Sequence, residues 1–156
     1  GIDPGLGTTG FGIISLVNKK IVLIDYGIIK TSTKDQLSDR LKIIFNKVTN
    51  LIKKYEPTIF SIEEVFYSNN AKSSLLLGHA RSAAMVSAAI ADIMIYEYSA
   101  KKIKQSLTGN GNAHKTQVQF MVRSKLKMNH NPEPLDASDA LAIALCHNHQ
   151  FREGDL

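Results

Sequence analysis

The chain has 156 residues and a mass of 17.2 kDa, with 44% hydrophobic and 21% charged residues, which suits one globular domain with a real core and argues against disorder or a fibre. No apolar run approaches the roughly 20 residues that a spanning helix needs, no basic segment followed by an apolar stretch opens the chain, and a lone Cys146 makes no intrachain disulfide, so the expectation is a cytoplasmic protein with no membrane partner. The net charge of +5 is uneven: between Tyr98 and Pro132 lie seven basic residues and no acidic one, whereas the remainder carries 12 basic against 14 acidic.

The chain opens at Gly1 rather than Met with a strand already under way, so a few residues are expected upstream. After Ile2-Asp3 comes a turn-rich segment from Pro4 to Thr9, then a β-rich run from Gly10 to Val17, a polar turn Asn18-Lys19-Lys20, and a second β-rich run from Ile21 to Ile29. This predicts an antiparallel three-stranded meander. Thr33 with Gln36 has the form of a capping box, and Leu37, Leu41, Ile44, Val48, Leu51 and Ile52 recur at helical spacing until Pro57. A short buried strand is predicted from Ile59 to Val65, followed by a helix capped by Asn69 or Asn70 and running to about Ala91. Another strand spans Ile93 to Tyr98, and Ser99 can cap a short helix that ends near Gly109. A helix from about His114 to Met128, a loop from Asn129 to Pro134 and a last helix from Leu135 to about His149 complete the chain. The order is α/β with a mixed sheet in one domain, 1–156, because the meander is antiparallel and the crossover helices return strands in parallel.

Four acidic residues carry the chemistry. Asp3 and Glu63 each follow an apolar strand-type run, while Asp136 and Asp139 open an apolar helix and, three residues apart, share its face. Carboxylates gathered in one place repel unless cations lie between them, and hard oxygen donors of this kind suit Mg²⁺ or Mn²⁺. Two such ions are a standard device for in-line displacement at phosphorus. The basic stretch beside such a cluster fits a polyanionic substrate, cations holding backbone phosphates while metals offset the acids. One point stays open on periodicity alone. Strand alternation lets only one of Glu63 and Glu64 face the metals, and a buried strand has no polar face from which to choose.

Several patterns are set aside. Gly5-Leu6-Gly7-Thr8-Thr9-Gly10 matches the dinucleotide fingerprint, with Asp25 near the distance of a ribose-binding acid, but the match leads into a strand where a fingerprint must open a helix. The phosphate loop of the actin and sugar-kinase superfamily also pairs such a turn with a hairpin, yet those proteins close two domains over ATP. Cys146, His147 and His149 sit at helical angles that do not converge on zinc. His79 and His114 read as surface polar residues, and Tyr67 either packs or touches nucleic acid.

Gly1-Ile2-Asp3-Pro4-Gly5 with Thr9-Gly10-Phe11-Gly12, then Ser61 to Phe66, then Asp136 to Ala144, closely resembles the RuvC family of bacterial Holliday-junction resolvases, and the resemblance covers nearly the whole chain. It implies an RNase H-like fold, a five-stranded mixed sheet flanked by helices, and a homodimer. The implied enzyme uses two Mg²⁺ ions per site, with Mn²⁺ able to substitute, and makes paired cuts in four-way junction DNA during recombination and repair. Its catalytic, metal-binding acids fall on Asp3, Glu63, Asp136 and Asp139, Asp3 bridging the ions; the motif thus selects Glu63 over Glu64. One ion would activate water and the other stabilise the leaving 3′-oxygen. Phe66 matches an aromatic implied to stack on junction bases, and Lys104 and Lys115 match basic residues implied to contact DNA. The branch-migration complex of the same pathway is a candidate partner. The alternatives are a non-catalytic nucleic-acid-binding module of the same fold and a related nuclease acting on RNA. Junction symmetry also asks for a two-fold dimer, and the helix from about Asn70 to Ala91, with its alanines and Gly78, is the candidate interface unless it is buried within its own subunit.

Overall fold

The computed structural model describes residues 1–65 and 69–154. Strand β1 (Ile2–Asp3) pairs antiparallel with β2 (Thr8–Val17), which pairs antiparallel with β3 (Lys20–Lys30). On its other side β1 runs parallel to β4 (Ile59–Glu63), and β4 parallel to β5 (Met94–Tyr98), giving the sheet order β3-β2-β1-β4-β5. This is the mixed five-stranded α/β sheet expected from the sequence, flanked by helices α1 (Leu37–Tyr55), α2 (Ala71–Ile90), α3 (Ala100–Thr108), α4 (Lys115–Lys125) and α5 (Leu135–Gly154).

The local chemistry explains the breaks. Asn18 and Lys19 both take positive φ, 50° and 64°, the backbone that a two-residue hairpin requires between right-twisted strands. The Asn70 side chain accepts from the Ser73 N–H at 3.2 Å and caps α2, while the Ser99 hydroxyl accepts from the Lys102 N–H at 3.2 Å and caps α3. Gly109, at φ 77°, ends α3. β2 starts at Thr8, two residues before the predicted start, because the buried Thr9 hydroxyl donates to the Gly5 carbonyl at 2.7 Å and closes the preceding turn early. The capping box expected from Thr33 and Gln36 does not form. The Ser32 hydroxyl accepts from the Lys34 N–H and the Ser32 carbonyl from the Asp35 N–H, so this segment is a turn and α1 begins only at Leu37 with Gln36 as an N-cap that makes no side-chain bond. β4 stops at Glu63, short of the predicted Val65, and α5 continues past His149 to Gly154.

Two cores lie on opposite faces of the sheet. One packs α1 and α2 against Ile2, Leu6, Ile29, Phe60 and Ile62, and the other packs α3, α4 and α5 against β2, β3 and Tyr98. The alanine face of α2 belongs to the first core: Ala80, Ala84 and Ala88 are fully buried in their own subunit. The expectation that these alanines face a second copy is therefore corrected. Small side chains let α2 approach its own sheet and α1, and the large apolar residues that α2 leaves outward are Leu75, Val86 and Ile90.

Candidate active site

The register of two short parallel strands places the first pair of acids. Ile2 lies opposite Ile62, so Asp3 and Glu63, one residue further on, end their strands side by side. Ile2 and Ile62 are buried against α1 and α2, and alternation turns Asp3 and Glu63 to the other face, beneath α5. Glu64 points away from that face and is exposed. Because Ile2 and Ile62 enter the core, it is Glu63 and not Glu64 that faces the other acids.

The second pair reaches the same place because α5 lies almost on the strand backbone. A Cβ on Gly10 would sit 1.9 Å from the Asp136 carbonyl oxygen, and one on Gly12 would meet Leu141 at 2.7 Å. These two glycines are the landing surface for the first turns of α5; of the glycines in the literal dinucleotide match, only Gly10 has that packing role, while Gly5 closes on Thr8 and Gly7 faces open space. Ala137, Ala140, Leu141 and Ala144 bury against the sheet, which leaves Asp136 and Asp139 half-buried in the opening turns and directed to Asp3 and Glu63. The N-terminal end of a helix also favours negative charge by about 0.3–1 kcal/mol.

The electrostatics show how close the four acids come. Burial, then the charges of Asp139, Glu63 and Asp136, push the Asp3 carboxyl from its ordinary 3.8 up to about 8, against a smaller opposing pull from Lys115. Glu63 is raised by burial and by Asp139, and drawn down by Lys115 and Lys104. Lys115, the first residue of α4, places Nζ 3.2 Å from Asp139 Oδ2, and its own pKa is raised chiefly by that carboxylate. The two lysines singled out in the sequence thus border the acids, Lys115 in contact and Lys104 from α3 within reach of Glu63's field. Among the described residues no three His, Cys, Asp or Glu side chains close around one metal-sized gap. Lys115 occupies one side of Asp139. The donor set itself, all carboxylate oxygen with no thiolate or imidazole, fits a hard divalent cation such as Mg²⁺ or Mn²⁺.

Other candidates find different places. Phe66 and Tyr67 lie outside the described residues. Asp25 accepts from the Tyr26 N–H at 2.8 Å and from the Tyr55 hydroxyl, a structural post at the sheet edge. The His147 ring meets the Tyr98 hydroxyl at 2.8 Å while the Cys146 thiol turns to the Lys102 carbonyl, so the two neighbours serve separate contacts. Arg81 is the residue to which sequence pattern assigned no role: its Nε donates to the Glu63 carbonyl at 3.0 Å and its guanidinium pairs with Glu97. The sequence signals for it are a lone Arg among the small residues of a helix, 18 positions beyond Glu63, and the resemblance of Gly78-His79-Ala80-Arg81 to a family segment, neither of which names a role.

A family model described as crossover junction endodeoxyribonuclease RuvC matches residues 1–147. The crossover junction endodeoxyribonuclease RuvC of Ruminiclostridium cellulolyticum is 42% identical over 100% of this chain and 94% of its own length. Its counterpart from Legionella pneumophila subsp. pneumophila (strain Philadelphia 1) is 49% identical over 96% of this chain and 85% of its own. Among solved structures, Thermus thermophilus RuvC superposes with a TM-score of 0.91 at 33% identity, covering 99% of this chain and 95% of that one. The T. thermophilus RuvC solved in complex with Holliday junction substrate superposes with a TM-score of 0.90 at 31% identity, covering 99% and 94%. With sequence and backbone matching almost end to end, the chain belongs to the RuvC family of crossover junction endodeoxyribonucleases.

Proposed function

We propose that this chain, as a single nuclease domain, resolves four-way DNA junctions by hydrolysing phosphodiester bonds at a divalent-metal centre held by Asp3, Glu63, Asp136 and Asp139. The observation that carries the proposal is the convergence of these four acids, from β1, β4 and the first turns of α5, on the side of the sheet where Lys104 and Lys115 stand. A family whose relatives are named for junction cleavage, one of them solved with a Holliday junction substrate, supports the substrate.

Mg²⁺, or Mn²⁺ in its stead, when bound would supply Lewis-acid stabilisation of the phosphorane charge and a water nucleophile at neutral pH. The chain's own groups account for the rest. Asp3, Glu63, Asp136 and Asp139 would furnish the oxygen ligands, and Asp3, whose carboxyl is raised to about 8 in the metal-free protein, would give up its proton to solvent on doing so. Lys115, with its side chain largely exposed, spans two roles: it touches Asp139 and faces the solvent side from which a backbone phosphate enters. Lys104 adds positive potential beside Glu63, and Phe66 is assigned to the junction bases on the resemblance alone. The basic helices α3 and α4 pack on α5, on the acids' side of the sheet, where they hold the strands that flank the cut.

Paired cutting calls for a homodimer, since two opposed strands must be cut at matching positions. The outward stripe of α2, with Leu75 at 68% and Ile90 at 69% exposure, Val86 between them, and open space beside Gly78, supports that helix as the contact, on the face opposite its alanines. The test is cleavage of a synthetic four-way junction, linear duplex and single-stranded RNA, each with Mg²⁺ and with chelator. Selective, Mg²⁺-dependent loss of the junction is expected. Equal cutting of the duplex or of RNA, or cutting in chelator, overturns the proposal.

A further inference from the structure

The side chain that holds Glu63 in place comes from the other face of the sheet. Beyond Asp3, β1 turns away, and the Glu63 carbonyl receives its hydrogen bond from Arg81 Nε of α2 at 3.0 Å. The N–H of the same peptide unit, that of Glu64, donates to the Tyr98 carbonyl of β5 at 2.9 Å. This one peptide plane is thereby pinned at both ends, by a charged donor on one side and a strand carbonyl on the other. The strand register already turns Glu63 to the acid cluster; this plane fixes the backbone at the point where β4 ends, and so limits how far the Glu63 side chain can shift. The guanidinium is itself braced: one terminal nitrogen pairs with Glu97, which stands opposite Ile62 on β5, and the other lies 3.1 Å from Met85 Sδ. Arg81 is mostly buried, and loss of its side chain would strip the Glu63 carbonyl of that donor and Glu97 of that partner.

We infer that Arg81, braced by Glu97, is a positioning residue that locks the Glu63–Glu64 peptide plane and so presents the Glu63 carboxylate to the divalent cation. The inference rests on the metal-centre assignment made above. Partners one step behind a metal ligand orient it, and their loss typically weakens metal binding by about 10- to 100-fold.

The test is Arg81→Gln with two readouts on the full chain. Binding of Mn²⁺ to the DNA-free protein, followed by the paramagnetic resonance signal of the free ion, is expected to weaken by about 10-fold. In Mg²⁺ the turnover rate is expected to fall while the KM for junction DNA and the junction affinity in chelator hold, and Arg81→Lys should recover part of the loss. A folded Arg81→Gln protein with unchanged Mn²⁺ affinity and turnover overturns the inference, whatever its melting temperature. If Arg81→Gln does not fold, Glu97→Gln carries the test: it loosens the brace while leaving Nε on the carbonyl. Its expected effect is a weakening of Mn²⁺ binding by about 2- to 5-fold, the scale of a half-exposed ion pair; no weakening overturns the inference. Asp3→Asn separates the two levels. Mn²⁺ binding lost in Asp3→Asn but intact in Arg81→Gln refutes the role of Arg81 alone, and binding intact in both refutes the metal centre itself.

Discussion

Asp3→Asn is expected to abolish cleavage and, in chelator, to stabilise the fold. The Asp3 carboxyl is pushed from 3.8 to about 8 by burial and by Asp139, Glu63 and Asp136. Between those two values the folded protein holds a proton that the unfolded chain has released, so the metal-free protein loses stability as pH rises from about 4 to about 8. At pH 7 the gap from the ordinary value is about 3 pH units, and at ~1.4 kcal/mol per unit the strain approaches about 4 kcal/mol. Water penetration and side-chain relaxation reduce it, and about 2 kcal/mol is a working figure. Asn keeps the size of Asp and removes the charge. In a domain of this length, about 2 kcal/mol corresponds to a rise of roughly 4–8 °C in melting temperature. The assay is thermal unfolding of both proteins in chelator at pH 5, 7 and 8, alongside junction cutting and gel-shift affinity. The Asn variant should melt higher at pH 7, with the difference growing toward pH 8 and shrinking toward pH 5, and should bind junctions without cutting them. A variant that melts at or below the parent at pH 7 refutes the electrostatic argument, and one that cuts normally refutes the site.

Glu63→Gln should slow cutting by roughly 100-fold or more, the scale of losing several kcal/mol of transition-state stabilisation, whereas Glu64→Gln should leave it near normal; equal losses would contradict the strand register. Gly10→Ala should cost about 1–3 kcal/mol of stability by driving a methyl into the Asp136 carbonyl, and should cut the rate by about 100-fold with all four acids intact, measured by melting and single-turnover cleavage. Val86→Glu with Ile90→Glu should give a folded monomer by sedimentation with paired cutting lost, while Ala84→Glu, buried at 0% exposure, should fail to fold. His147 is held below its ordinary 6.5, chiefly by burial, so the unfolded chain takes up its proton first. Stability should fall as pH drops below about 6.5, and His147→Phe should flatten that slope in a pH series of melts.

What the sequence made legible was local. Apolar runs ending in Asp3 and Glu63, the caps Asn70 and Ser99 and the stop at Gly109 each depend on a few neighbouring residues, and each stands close to where it was expected. The capping box failed for an equally local reason, since Ser32 accepts from the Lys34 and Asp35 amides and folds the segment from Ser32 to Asp35 into a turn. What was hidden depends on pairings between distant segments. Ile2 opposite Ile62 fixes Glu63 inward, and no period within β4 reports that register.

The small residues carried the deepest ambiguity, because Gly and Ala announce a close approach without naming the partner. In the segment from Gly5 to Gly12 the glycine pattern matched a phosphate loop, but at Gly10 and Gly12 it is α5 that makes the approach, since the Asp136 carbonyl stands where a Cβ on Gly10 would be. In α2 the approach was open to a second copy or to its own sheet, and α1 and the sheet occupy it, leaving the larger Leu75, Val86 and Ile90 outward. The same physics links the two cases. Glycines under α5 bring Asp136 and Asp139 down to Asp3, and alanines under α2 bring Arg81 close enough to hold the Glu63 carbonyl. The acids lie on one face of the sheet, but their geometry is set from both, so substitutions in either core that lift a helix by even an ångström should register first as lost cleavage and only then as lost stability.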